Sequence, residues 1–101
     1  MANKLTQTKF IELMQRVTGH SKNFIKQNLR IQGMDSTMFV FDAGDFRYHS
    51  WTKNGKYIYT QTFLQGQCVL SFYHDLETLK INWDKYEEDQ RKELEYQLES
   101  Q

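Results

Sequence analysis

Two groups of residues in this chain have the types and spacing to do chemistry. The first is cationic. Lys22, Lys26 and Arg30 recur every four residues, so a helix through them would set all three on one face. Asn23 and Gln27 sit beside them and could pair with adenine edges. Lys9 and Arg16 lie upstream and add to the same field. Cations spaced in this way hold phosphates, so the pattern points to nucleic acid. The second group is aromatic. Tyr48, Trp51, Tyr57 and Tyr59, with Phe46 and Phe63, are interleaved with Arg47, His49, Lys53 and Lys56. Rings alternating with cations can stack bases and grip a backbone. The same rings are ordinary strand residues and equally suit a protein partner.

Catalytic patterns are thin. Cys68 has no histidine at a recognised spacing, and a lone cysteine in a strand is most often a small buried hydrophobe. His20, His49 and His74 are too scattered for a metal motif. His74 and Asp75 could form an acid–base pair at a strand end. Arg47, His49, Lys56 and Tyr57 could serve a metal-independent ribonuclease. No phosphate loop or dinucleotide fingerprint is present. The expectation is a non-enzymatic binding protein without metal or cofactor.

The formal net charge of zero hides a gradient. Residues 1–33 carry six cations against Glu12 alone, a net +5. Residues 76–101 carry four cations against eight acidic groups, a net −4. Such asymmetry suits two faces with different partners, or one end answering the other in an assembly. A single cysteine excludes an intramolecular disulfide, and the first residues hold no apolar run. No stretch approaches a membrane span, so the expected location is the cytoplasm, away from membranes.

These groups must be positioned by elements legible in the apolar pattern. Phe10, Ile11, Leu13, Met14 and Val17 follow a helical period over residues 6–17, and Gly19 ends that helix. Ser21 caps a second helix over 22–31, with Phe24, Ile25 and Leu29 on its apolar face. The two form a helical hairpin over 1–33, expected to pack on a sheet through Phe10, Leu13, Met14, Phe24, Ile25 and Leu29. Four strands follow, over 37–41, 46–51, 56–64 and 67–73. Their turns are Asp42-Ala43-Gly44-Asp45, Asn54-Gly55 and Gln65-Gly66, which make an antiparallel meander. Alternation through Leu79, Ile81 and Trp83 predicts a fifth strand, extending the sheet region to 37–83. Asp84 and Glu87 then form a capping box for a polar helix over 85–98, within a terminal segment 84–101. One longer helix through Leu76, Leu79, Trp83 and Tyr86 is the competing reading. The fold class is therefore α+β, in one domain: N-terminal helical hairpin, antiparallel four- or five-stranded meander, C-terminal polar helix.

The hairpin resembles two DNA-associated families. Thr18-Gly19-His20-Ser21-Lys22, followed by Ile25 and Leu29, is similar to the turn and second helix of helix-turn-helix proteins. Residues 6–29, including Phe10-Ile11-Glu12, look like the opening hairpin of the HU/IHF group. That likeness covers about a quarter of the chain. It stops at Gly33, where that family's helix would continue, and the family's glycine–aromatic turn and proline-tipped arm are missing. What these resemblances imply is DNA contact through Lys9, Arg16, Lys22, Asn23, Lys26, Gln27 and Arg30. The alternative is a protein-binding inhibitor or adaptor, acting through Tyr48, Trp51, Tyr57 and Tyr59 or through the acidic helix. In size and composition the chain is similar to small accessory proteins of phages and mobile elements, including inhibitors of host defence nucleases. The narrow stripe of Tyr86, Leu94 and Leu98 predicts a homodimer, formed through that helix or an apolar sheet face.

Overall fold

The computed structural model describes residues 4–33 and 38–99. Two helices come first, α1 (Gln7–Thr18) and α2 (Lys22–Gln27). Five strands follow, β1 (Leu29–Gln32), β2 (Met38–Ala43), β3 (Phe46–Lys53), β4 (Tyr57–Leu64) and β5 (Gln67–Asp75), and then α3 (Trp83–Glu99). The strands form one antiparallel sheet in sequence order. The fold is α+β, as the change of period along the sequence predicts.

Local chemistry sets the element ends. The Thr6 hydroxyl accepts from the Lys9 amide and Gly19, at φ 79°, closes α1. The Ser21 hydroxyl accepts from the Phe24 amide and starts α2. At the β3–β4 turn, Asn54 and Gly55 both adopt positive φ, as a turn twisted to match its strands requires. That turn fixes the register Lys53↔Tyr57 and Trp51↔Tyr59.

The second helix is shorter than the sequence predicts. It ends at Gln27, and residues 29–32 are strand rather than helix. Leu29 and Ile31 satisfy a helical stripe behind Ile25, but they also alternate. Pairing Leu29↔Phe41 and Ile31↔Phe39 gives them neighbours that an isolated helical turn cannot. Asn28 makes the switch, its side chain donating to the Phe24 carbonyl while its own carbonyl accepts from the Asp42 amide.

The predicted fifth strand over 76–83 is absent. Leu76–Thr78 turn, Leu79 takes a left-handed φ of 62°, and only a single bridge, His74↔Ile81, touches the sheet. The terminal helix begins two residues before the predicted 85. Its cap is Asn82, whose Oδ1 accepts from the Lys85 amide at 2.9 Å, and Asp84 lies inside the first turn. Thr37, the predicted start of the first strand, lies outside the described residues.

Strand alternation gives the sheet two unlike faces. Phe39, Phe41, Tyr48, Ser50, Ile58 and His74 share one face, judged by their pairing. Phe10, Ile11, Leu13 and Met14 of α1 and Ile25 of α2 pack there with Phe39, Phe41 and Ile58 into one buried cluster, closed by Leu5, Leu76 and Leu79. Four of the six predicted packing residues are fully buried. Phe24 is 36% exposed, stacked on His20 and edge-on to Phe41, and Leu29 packs on the cluster from within the sheet.

Candidate functional site

The face turned away from α1 and α2 carries the chemistry. In β3 it presents Arg47, His49, Trp51 and Lys53, and in β4 Tyr57, Tyr59, Gln61 and Phe63. Arg30 and Asp42 extend it across β1 and β2, and Tyr73 across β5. Val40 lies fully buried within this face, between register partners Arg30 and His49. The His49, Trp51, Tyr57, Tyr59 and Phe63 rings are half-buried, so each keeps part of its surface in water.

Those rings form cross-strand pairs. Trp51 and Tyr59 lie 5.0 Å apart edge-to-face, and His49 and Phe63 4.7 Å apart, tilted. Beside His49 and Phe63 is an open notch of about 410 Å³, lined also by Asp42, Arg47 and Gln65. Burial and the Arg47 charge hold the His49 imidazole below its ordinary pKa, so the ring is neutral at pH 7. Burial alone would raise the Asp42 carboxyl. Arg47 at 2.6 Å and Arg30 at 3.0 Å outweigh it and hold Asp42 below the usual carboxylate value. One carboxylate thus fixes two guanidinium groups at the rim of the aromatic row.

The opposite rim is built by α3. Tyr73 is 2% exposed and its hydroxyl donates to Asp89 and accepts from Lys53 Nζ at 3.0 Å. Burial, then Asp89, pushes the Tyr73 hydroxyl far above the ordinary tyrosine value. Lys53 lies over Tyr59 and Lys85 over Tyr57, at 5.1 and 5.8 Å from the ring centroids. Trp83 and Tyr86 meet Phe72 on the far side of β5.

The cationic residues singled out in the sequence do not come together. Lys22, Asn23, Lys26 and Gln27 are exposed on α2. Arg30 is on β1, not on that helix, and its guanidinium meets Asp42 on the open sheet face. Lys9 donates to the Leu76 carbonyl at 2.9 Å and Arg16 to the Thr78 carbonyl at 3.2 Å, which ties α1 to the turn after β5. The aromatic group divides as well. Trp51, Tyr57 and Tyr59 share the open face, whereas Tyr48 is on the helix face, stacked 5.8 Å from Phe41.

The scattered catalytic candidates stay apart. Arg47 and His49 are neighbours, but Tyr57 pairs with Lys53, six residues along the strand from Arg47, which is about 20 Å. His74 and Asp75 point to opposite sides of β5. His74 is buried with an unpartnered Nδ1, and Asp75 accepts from Asn82. Cys68 is exposed on β5 rather than buried. Among the described residues no three His, Cys, Asp or Glu side chains cluster as metal ligands, and no helix is long and apolar enough to cross a membrane.

Asp42, Lys85 and Tyr73 contribute to the site without having been singled out. The register of the Gly44-Asp45 turn, which sets Asp42 opposite Arg47, could have found Asp42. Tyr73 is displaced by a bulge between Thr62 and Phe63, and Lys85 arrives from a separate helix. Neither a protein-family model, a curated protein nor a solved structure matches this chain.

Proposed function

We propose that the protein is a non-enzymatic binding module for single-stranded nucleic acid, with the open sheet face as its platform. The observation that carries this reading is the half-exposed row of Trp51, Tyr59, His49 and Phe63, flanked by Arg30, Arg47 and Lys53. Ring faces accept bases of any sequence, and the flanking cations accept the phosphates between them. A duplex would not fit flat rings that need unstacked bases. Helix α2 is a poorer reader, because its six residues give less than two turns and its cations number two. A protein partner on the same face is the second reading. It is favoured by Asp42, which already engages both arginines and weakens their pull on phosphate.

The test is fluorescence anisotropy with a short labelled oligouridine, across a salt series. Three phosphate contacts predict a slope of log affinity against log salt of about −2, at ~0.7 per contact. Trp51→Ala should weaken binding by about 1–3 kcal/mol, the contribution of one stacked base. Lys22→Gln with Lys26→Gln should leave it unchanged. Loss on the lysine changes and indifference to Trp51→Ala would move the interface to the hairpin. No binding at low salt would overturn the nucleic-acid reading and leave the protein partner.

A further inference from the structure

The C-terminal half of α3 offers a surface exposed to solvent. Residues 90–99 are all exposed, over a length of about 15 Å. Leu94 and Leu98, one turn apart, are 56% and 62% exposed. The helix carries seven acidic groups against three cations. Glu93, Glu95 and Glu99 make no ion pair among the described residues, whereas Lys92 is already held by Glu88 at 2.9 Å.

The helical hairpin has the complementary character. Lys22 and Lys26 are exposed on α2, one turn apart, and make no hydrogen bond or ion pair among the described residues. Val17 on α1 is 44% exposed. The hairpin's α1 runs for 12 residues, about 18 Å, close to the exposed length of α3. One chain does not bring the two surfaces together. Helix α2 meets Phe41 of β2 edge-on through Phe24, while α3 lies against edge strand β5. That is three strand spacings away, about 14 Å.

We infer that the occupant of each surface is a second copy of this chain. The C-terminal half of α3 in one copy lies on the α1–α2 hairpin of its partner, and the partner returns the same contact. The exchange closes on itself as a two-fold dimer, with no surface left to propagate a filament. Glu95 and Glu99 face Lys22 and Lys26, and Leu94 and Leu98 cover the apolar surface around Val17. The contact is made of exposed ion pairs around a small apolar seam, so it weakens as salt rises. It leaves the open sheet face clear and does not depend on what that face binds.

Sedimentation velocity on the full chain tests the inference. At low salt the wild type should sediment as a dimer. Lys22→Glu with Lys26→Glu should raise the dimer dissociation constant about tenfold or more, and so should Glu95→Lys with Glu99→Lys. Mixed in equal amounts, the two variants should recover the dimer, because the mixed pair contains one native contact and one with both charges reversed. Circular dichroism confirms that each variant is folded. A wild type that stays monomeric over a wide concentration range would overturn the inference. So would folded variants that fail to associate on mixing. A dimer indifferent to both charge reversals but lost on Leu94→Ser with Leu98→Ser would show α3 pairing with α3 instead.

Discussion

The Tyr73 hydroxyl is the tether of α3, and Tyr73→Phe removes it with one atom. That hydroxyl donates to Asp89 and accepts from Lys53. Hydrogen bonds to charged groups contribute about 1.5–3 kcal/mol. The Asp89 side chain is 34% exposed, so water screens part of that, and about 1–2 kcal/mol is the expected loss. No side chain of α3 is buried, so the loss falls on local undocking of the helix and not on global unfolding. Native-state hydrogen exchange reads it directly. Amides of α3 should exchange about 5–30 times faster, while the core amides of β3 and β4 keep their protection. The pH dependence has a defined sign. Burial would raise the Asp89 carboxyl, but the Tyr73 hydroxyl, Lys85 and Lys53 together hold it below the ordinary 3.8. The contact is therefore fully present above that value and is lost as pH falls through the lowered one. The wild type should approach the variant's exchange rates only in strong acid. Unchanged exchange in α3, with a fall in melting temperature like that of a core deletion, would refute the tether.

Three further outcomes follow from the same packing. Leu13→Ala empties a site that is 0% exposed and should cost about 2–5 kcal/mol by urea denaturation, whereas Phe24→Ala, at a ring 36% exposed, should cost less. Asn82→Ala should lose about 0.5–2 kcal/mol by removing the cap on Lys85, and Asp84→Asn should leave the denaturation midpoint nearly unchanged. Burial holds His74 below the ordinary 6.5 against the pull of Asp75, so its contribution is complete above that value and lost as pH falls from it through the lowered one. His74→Leu should flatten the fall in stability between neutral pH and about pH 5, measured by denaturant titration.

Much of this architecture is legible in the sequence because short-range signals fix it. Asn54-Gly55 sets a register that places Trp51 opposite Tyr59, and alternation then sorts Tyr57, Tyr59 and Phe63 from Ile58 and Leu64. The second helix overruns in the sequence because Leu29 and Ile31 fit both periods. What decides between them is pairing with Phe41 and Phe39, which no local window contains. The same strand takes Arg30 off the helix and onto the open face. Leu79, Ile81 and Trp83 alternate like a strand, but the left-handed backbone at Leu79 breaks the run. Tyr48 and Trp51 look like one aromatic group in sequence, yet three residues along a strand put them on opposite faces.

The most direct test of the platform is a map of where the oligonucleotide lies. Backbone and side-chain NMR shifts of the labelled protein should be followed during titration with oligouridine at moderate salt. The perturbed residues should be Arg47, His49, Trp51 and Lys53 on β3 and Tyr57, Tyr59 and Phe63 on β4, with the Trp51 indole among the largest. Shifts confined to Lys22, Asn23, Lys26 and Gln27, with β3 and β4 silent, would contradict the open sheet face as the binding site.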